Sequence, residues 1–151
     1  MSVRVGSPVA GRVVALSEVP DQVFAEAMVG PGVAVEPVRA KADVVSPLDG
    51  TVVTLHPHAF VVAGADGAAV LVHLGIDTVK RKGEGFEVHV VKGEQVQAGQ
   101  KIVTWDPAEV EAAGYAPICP VIALDASAEA LGDLAVGVDV TANDALFDWS
   151  R

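Results

Sequence analysis

Short apolar segments separated by glycine and proline are the dominant pattern along this chain. Valine and alanine fill most of these segments, and valine is β-branched and favours extended backbone. Fifteen glycines and nine prolines keep the apolar runs to about five residues, whereas a membrane-spanning helix needs roughly twenty. The pattern predicts an all-β protein with strands at Arg12–Leu16, Val33–Pro37, Gly50–Leu55, Ala59–Ala63, Ala69–Leu74, Phe86–Val91, Lys101–Trp105, Pro120–Leu124 and Val136–Val140.

Two segments carry helical signals instead. Asp106, Pro107 and the later Gly114 predict a short helix over Ala108–Ala113, because Asp caps helix N-termini, Pro suits the first turn and Gly ends helices. Ser127–Leu134 is a second helical candidate. Since no linker or low-complexity segment interrupts the chain, residues 1–151 are expected to form one domain.

An internal repeat indicates a duplicated β-motif. Ser7–Leu16 and Ser46–Leu55 share six of ten residues, and in each copy Pro and Gly shape a turn that leads into a buried strand. Together with the paired-glycine turns of Val91–Ile102, this rhythm resembles barrel-sandwich hybrid folds such as lipoyl and biotinyl carrier domains. Such a carrier needs an Asp-Lys or Met-Lys dipeptide at a hairpin tip, and the chain contains neither.

Charge and cysteine content narrow the function classes. Twenty acidic residues face ten basic ones, giving a net charge of −10, whereas phosphate backbones and anionic membrane surfaces both attract basic proteins. Nucleic-acid binding and direct membrane insertion are therefore not expected, and a basic or neutral protein partner is favoured. The single cysteine, Cys119, excludes an internal disulfide, and the N-terminal residues show no signal-peptide pattern. We expect a cytoplasmic protein with Cys119 packed in its core.

Two histidines lie at the ends of adjoining predicted strands. Asp66–Gly67 between them is a strong two-residue hairpin signal. With these as the central turn residues, His58 lies opposite Gly75 and His73 lies opposite Phe60, so strand alternation places both imidazoles on one face. A shift of one residue in the register would place them on opposite faces.

A pair of imidazoles on an apolar sheet face has several uses. Histidine titrates near neutral pH, binds metals, moves protons and attacks phosphorus, although a half-buried structural pair fits the same pattern. His56 either lines the site or is exposed at its strand end, and His89 is interpreted as structural or exposed. His56 and His58 also have a zinc-ligand spacing, but the upstream His-x-x-x-Asp typical of zinc endopeptidases with a related sandwich is missing.

Several segments around these histidines resemble the glucose-type enzyme IIA domain of the bacterial phosphoenolpyruvate:sugar phosphotransferase system. The His-x-Gly-Ile-Asp-Thr-Val and Lys-Gly-Glu-Gly-Phe blocks are specific in combination, and the fifteen-residue spacing of His58 and His73 also matches. The resemblance implies an antiparallel β-sandwich with one or two short helices and a shallow apolar depression that holds both histidines. The matching segments, spread over about Ser7–Asp125, are Pro20–Glu26, Met28–Gly32, Ser46–Gly50, His58–Phe60, Val72–Val79 and Lys82–Phe86.

The resemblance also implies a phosphotransferase function and roles for individual residues. The family accepts a phosphoryl group from phospho-HPr on a histidine that matches His73, and passes it to a cysteine of an enzyme IIB domain during sugar uptake. The second active-site histidine matches His58, and the carbonyl of Gly75 would fix the tautomer of the His73 ring. The family requires no organic cofactor, although the His58–His73 pair could hold an adventitious zinc ion completed by a partner's carboxylate.

A docking surface for partners follows from the same resemblance. Acidic positions that contact partner arginines match Asp21 and Asp77, each of which could instead serve a local turn or cap. The apolar docking positions match Phe24, Met28, Val29 and Leu71. Regulated transporters and metabolic enzymes are further partner classes that the family implies.

Three departures from the family pattern stand out. The family usually has a threonine two residues before its second histidine, where it orients that ring, and this chain has His56 there. The predicted first strand begins within about a dozen residues, so the long N-terminal extension of some members, implicated in membrane association, is not expected. The segment Asp139–Arg151 matches poorly and leaves Phe147 and Trp149 unexplained.

Overall fold

The fold is built almost entirely from short antiparallel strands. The structure, a computed structural model, describes residues 2–151. The strands within that range are β1 Ser2–Gly6, β2 Gly11–Ala15, β3 Gly32–Pro37, β4 Ala42–Val45, β5 Gly50–His56, β6 Ala59–Ala63, β7 Ala69–His73, β8 Phe86–Val88, β9 Gln95–Val96, β10 Lys101–Trp105, β11 Cys119–Ala123, β12 Leu131–Gly132, β13 Asp139–Val140 and β14 Ala145–Ser150. The helices are α1 Gln22–Ala25 and α2 Pro107–Ala112, with 3₁₀ turns at Leu16–Glu18, Thr78–Arg81 and Ala128–Ala130.

An eight-stranded sheet carries hydrophobic side chains on both faces. Its strand order is β13-β2-β3-β11-β7-β6-β5-β9, and three-stranded sheets of order β1-β14-β12 and β4-β10-β8 accompany it. Alternation divides each central strand: Phe60 and Val72 enter the main core with Trp105, whereas Leu71 lies on the outer face. A smaller cluster of Leu16, Val19, Ala34, Ile76, Ile118 and Ile122 covers that outer face. These layers confirm the predicted antiparallel β-sandwich.

The internal repeat has the same structure in both copies. Ser7 and Ser46 are fully buried, and each hydroxyl donates to a carbonyl two residues on, at 2.6 Å to Val9 and 2.7 Å to Leu48. The glycine shared by the two copies, Gly11 or Gly50, begins a strand against a neighbouring backbone that is too close to admit a side chain. The repeated sequence therefore encodes a repeated turn, as predicted.

The predicted elements are largely present, and the differences lie at their ends. Ala59–Ala63 and Lys101–Trp105 have their predicted bounds, and the predicted helix forms with Asp106 accepting a hydrogen bond from the Ala108 amide at 3.0 Å. The prediction of a helix at Ser127–Leu134 is wrong, because this segment makes only a 3₁₀ turn before β12. Strands β1, β4, β9, β12 and β14 and helix α1 were not predicted. The predicted strands at Phe86–Val91 and Val136–Val140 shorten to β8 and β13.

The C-terminal segment that sequence reasoning left unexplained belongs to the core. Strand β14 pairs with β1 in antiparallel register, with Val5 opposite Phe147 and Val3 opposite Trp149. Phe147 is 1% exposed and Trp149 is 2% exposed. The two ends of the described chain therefore close one edge of the sandwich together. Among residues 2–151, no helix combines the length and the hydrophobicity that crossing a bilayer requires.

The predicted register of the β6–β7 hairpin is wrong by one residue. His73 lies opposite Ala59, and Phe60 lies opposite Val72. The reason is the turn, which has three central residues, Ala65 to Gly67, closed by a hydrogen bond from the Gly64 amide to the Ala68 carbonyl at 2.8 Å. Gly67 adopts φ +86°, the left-handed conformation typical of three-residue hairpins. The extra turn residue moves Phe60 to the opposite face from His73.

Candidate functional site

His73 is held in a fixed orientation at the end of β7. Its Nδ1 lies 2.5 Å from the carbonyl oxygen of Gly75. Since a carbonyl can only accept, Nδ1 carries the proton and donates it, which leaves Nε2 with a free lone pair. Gly75 adopts φ +82°, and a Cβ there would lie 2.7 Å from Cγ2 of Thr78. The buried hydroxyl of Thr78 donates to the Leu74 carbonyl at 2.7 Å, so the loop that presents the Gly75 carbonyl is itself anchored.

His58 reaches the same place from a turn rather than from a strand. It is the second residue of the two-residue connection between β5 and β6, whose last pair is His56 and Ala59. Its ring centroid is 5.2 Å from that of His73, with the two planes at 73°. The expected proximity of His58 and His73 is therefore present, but its cause is the turn, since alternation in the observed register would separate the two side chains.

A third imidazole continues the row. The ring of His56 stacks on that of His58, with centroids 5.6 Å apart and planes at 29°. His56 is exposed and occupies the position at which threonine was expected from the family pattern. His89 is elsewhere, on the strand group of β8 and β10, where its Nε2 lies 2.7 Å from the Thr104 hydroxyl. The structure thus groups three of the four histidines.

The surroundings of the pair favour uncharged imidazoles. Burial lowers the pKa of His73, against the opposing effects of the hydrogen bond to Gly75 and the negative charges of Asp21 and Asp77. Burial, followed by the charges of His73 and His56, lowers the pKa of His58 to about 4. At pH 7 both rings are neutral, so the His73 Nε2 lone pair is available as a nucleophile.

Phe24 and Asp21 border the pair on the side of α1. The Phe24 ring lies 5.2 Å from the His73 ring at 56° and packs on the outer-face cluster together with Leu71. Asp21 caps α1, accepting from the amides of Val23 at 2.9 Å and Phe24 at 3.4 Å. Asp21 therefore performs the local capping role and also places a negative charge near His73.

Asp77 also places a negative charge near His73. It is exposed, adopts φ +62° and begins the 3₁₀ turn Thr78–Arg81 without a capping hydrogen bond from its side chain. The alternative of a local cap is therefore wrong for Asp77. Asp is among the residues enriched in this left-handed conformation, and its exposed carboxylate makes no capping hydrogen bond.

Several apolar side chains close to Phe24 and Asp77 in the sequence are exposed. Met28 is 66% exposed and Val29 is 36% exposed, so both side chains are accessible. Sequence reasoning did not name Val23, next to Phe24, which is 43% exposed, or Val79, two residues after Asp77, which is 58% exposed. The available signal for Val79 was its place at the end of the His-x-Gly-Ile-Asp-Thr-Val block. Within residues 2–151, no three or more His, Cys, Asp or Glu side chains are grouped to hold a metal ion.

Cys119 lies beneath this region and is chemically inert. It is completely buried in the main core, with Sγ 3.4 Å from the carbonyl of Pro117. Burial raises the pKa of its thiol far above the usual range. Its predicted packing role is confirmed.

Fold and site together define a class: a β-sandwich that presents an oriented, uncharged histidine beside a second histidine and a phenylalanine ring. Comparison with known proteins identifies the family within this class. Residues 3–128 match the family model described as "phosphoenolpyruvate-dependent sugar phosphotransferase system, EIIA 1". The chain belongs to this family, and it is a phosphotransferase component that carries phosphoryl groups for sugar uptake.

Individual relatives agree with the family match. The chain is 43% identical over 122 residues to the glucose-specific EIIA component of Oceanobacillus iheyensis, covering 80% of this chain and 73% of that protein. It is 44% identical over 126 residues to the glucosamine-specific EIICBA component of Bacillus subtilis, covering 82% of this chain and 20% of that larger protein. The glucose permease IIA structure from Mycoplasma capricolum matches with a TM-score of 0.88 at 32% identity, covering 98% of this chain and 96% of the other.

Proposed function

We propose that Nε2 of His73 accepts the phosphoryl group from phospho-HPr and passes it to a cysteine of an enzyme IIB domain. The observation that carries this assignment is the hydrogen bond from Nδ1 of His73 to the Gly75 carbonyl, at 2.5 Å. That bond fixes both the tautomer and the direction of Nε2. The relatives in which an EIIA segment is fused to B and C segments support an enzyme IIB acceptor.

The transfer itself is an in-line displacement. The Nε2 lone pair forms a bond to phosphorus while the bond from phosphorus to the donor breaks, and its electron pair stays with the donor. In the second step the acceptor's thiolate attacks, and the electron pair returns to Nε2. Phe24 and the outer-face cluster keep water from the phosphorylated nitrogen, which limits hydrolysis.

His58 is assigned a stabilising role in this displacement. Its ring lies 5.2 Å from that of His73, so an N–H of His58 can donate to a phosphoryl oxygen bound at Nε2. Charge accumulates on those oxygens in the transition state, and a positioned donor is worth about 10²-fold in rate. Because the free His58 ring is neutral, it meets the incoming group as a neutral donor.

The docking surface proposed for HPr and the enzyme IIB domain is apolar at its centre and acidic at its edge. Phe24 and Leu71 form its partly buried centre, and Met28 and Val29 extend it outward. Asp21 and Asp77 supply the negative edge that arginines of a partner would contact. The same surface would serve transporters or metabolic enzymes that respond to the phosphorylation state.

A cytoplasmic site of action, a single domain and a metal-independent reaction complete the proposal. Transfer between histidine and cysteine needs no cofactor, because the carriers themselves supply nucleophile and leaving group. The His58–His73 pair offers two nitrogens, whereas zinc takes four ligands, so a zinc ion there would need a partner's carboxylate. Such binding would block the nucleophile and compete with phosphorylation.

Two variants test the assignment. His73→Ala should accept no phosphate from phosphoenolpyruvate passed through the general phosphotransferase proteins, and His58→Gln should accept phosphate but donate it slowly. His89→Ala is the matched control, since that histidine lies outside the site. Stoichiometric labelling of His73→Ala would refute the nucleophile, and unchanged donation by His58→Gln would remove that residue from the mechanism.

A further inference from the structure

The ring of His58 is oriented by packing. Within residues 2–151, the hydrogen bonds that involve imidazoles are those of His73 and His89. The His58 ring instead lies between two other imidazoles, with the edge-on ring of His73 on one side and the stacked ring of His56 on the other. A donor held in this way points correctly only while both neighbours stay in place.

The backbone at His56 is well suited to hold its ring there. Pro57 follows it directly, and a residue before proline is restricted to extended backbone. Pro57 fixes its own φ and is packed from outside by the loop at Gly83, where a Cβ would lie 3.3 Å from the Pro57 ring. The connection that carries both histidines is therefore rigid, although the His56 ring itself is exposed.

The geometry of the two rings is that of an attractive aromatic contact. Centroids 5.6 Å apart with planes at 29° fall in the range of offset stacking. An alanine at residue 56 would expose one face of the His58 ring to water and leave that ring free to rotate. A phenylalanine there would retain the stacking surface without any nitrogen.

We propose that His56 is a positioning residue, which stacks on His58 and so holds that ring toward a phosphoryl group on His73. This inference rests on the proposed function, since it assigns His56 to the donation step in which His58 acts. It gives this chain a way of orienting its second histidine by ring stacking. Loss of one aromatic stack corresponds to roughly 2- to 12-fold in a rate constant.

The test compares His56→Ala, His56→Phe and the control His89→Ala. Each protein is phosphorylated through the general phosphotransferase proteins, and single-turnover donation to an isolated enzyme IIB domain is then timed. We expect all three to accept phosphate at the wild-type rate. His56→Ala should donate roughly 2- to 12-fold more slowly, while His56→Phe and His89→Ala should donate at the wild-type rate.

The outcomes of this test distinguish a failure of the positioning role of His56 from a failure of the proposed function. Wild-type donation by His56→Ala, or donation by His56→Phe as slow as by His56→Ala, would overturn the positioning role while leaving the proposed function intact. A wild-type protein that accepts no phosphate would overturn both. Because His56 is exposed, urea unfolding of the two His56 variants should match wild type, and a large loss of stability would assign His56 to the fold instead.

Discussion

Acidification from pH 7 to pH 5 should destabilise this protein through His58, and His58→Gln should reduce that effect. The pKa of His58 is lowered to about 4 in the folded protein by burial and by neighbouring imidazoles. The unfolded chain binds a proton with the ordinary histidine pKa of about 6.5. Below pH 6.5 the unfolded state therefore binds a proton that the folded state does not. The resulting loss in the free energy of unfolding grows until the pH reaches about 4.

The size of the effect follows from those two pKa values. For a histidine with a pKa of about 6.5 in the unfolded chain and about 4 in the folded protein, the free energy of unfolding falls by about 2 kcal/mol between pH 7 and pH 5. Since the His58 ring is only partly buried, water screens it, and we expect about 1 kcal/mol. His73, whose pKa is also lowered, adds a penalty of the same sign that the variant retains.

Urea unfolding at pH 7 and pH 5 measures this difference. The window is favourable because Asp66, Glu111 and Asp144 have lowered pKa values, so protonation of these carboxylates affects stability only at lower pH. His58→Gln should lose about 1 kcal/mol less than wild type between the two pH values. His89→Gln serves as the control. Equal losses in wild type and His58→Gln would show that the ring is not desolvated in solution.

Three further predictions follow from the fold and the docking surface. Trp149→Ala should lower the free energy of unfolding in urea by about 3–5 kcal/mol, because the side chain is 2% exposed; a loss below about 1 kcal/mol would detach β14 from the core. Gly75→Ala should slow phosphate acceptance by displacing the carbonyl that orients His73, whereas Gly67→Ala, equally left-handed but with open space around it, should not. Asp77→Asn should weaken HPr binding mainly at low salt, and Phe24→Ala about equally at all salt concentrations, as titrations would measure.

The fold could be predicted where local sequence signals set the bounds of an element, and less well where an element depends on a distant partner strand. Ala59–Ala63 and Lys101–Trp105 have their predicted bounds because glycine, proline or acidic residues stop each apolar run locally. Strand β14 was missed although Phe147 and Trp149 alternate with Asp148 and Ser150, which is the period-two pattern of a half-buried strand. What no local pattern shows is its partner, because β14 pairs with β1 at the other end of the chain.

The proximity of His58 and His73 was predicted correctly, although the register from which it was derived is wrong. Asp66–Gly67 indicates a hairpin, but whether two or three residues form the turn depends on the closing bond between Gly64 and Ala68, and this choice reverses every face. His58 escapes the reversal because it lies in a turn after Pro57, where side-chain direction follows local backbone angles. The proximity of His58 and His73 thus depends on the Pro57 turn and on the Gly75 loop. Substitutions that alter those two connections should therefore disturb phosphoryl transfer more than equally conservative substitutions within β6 or β7.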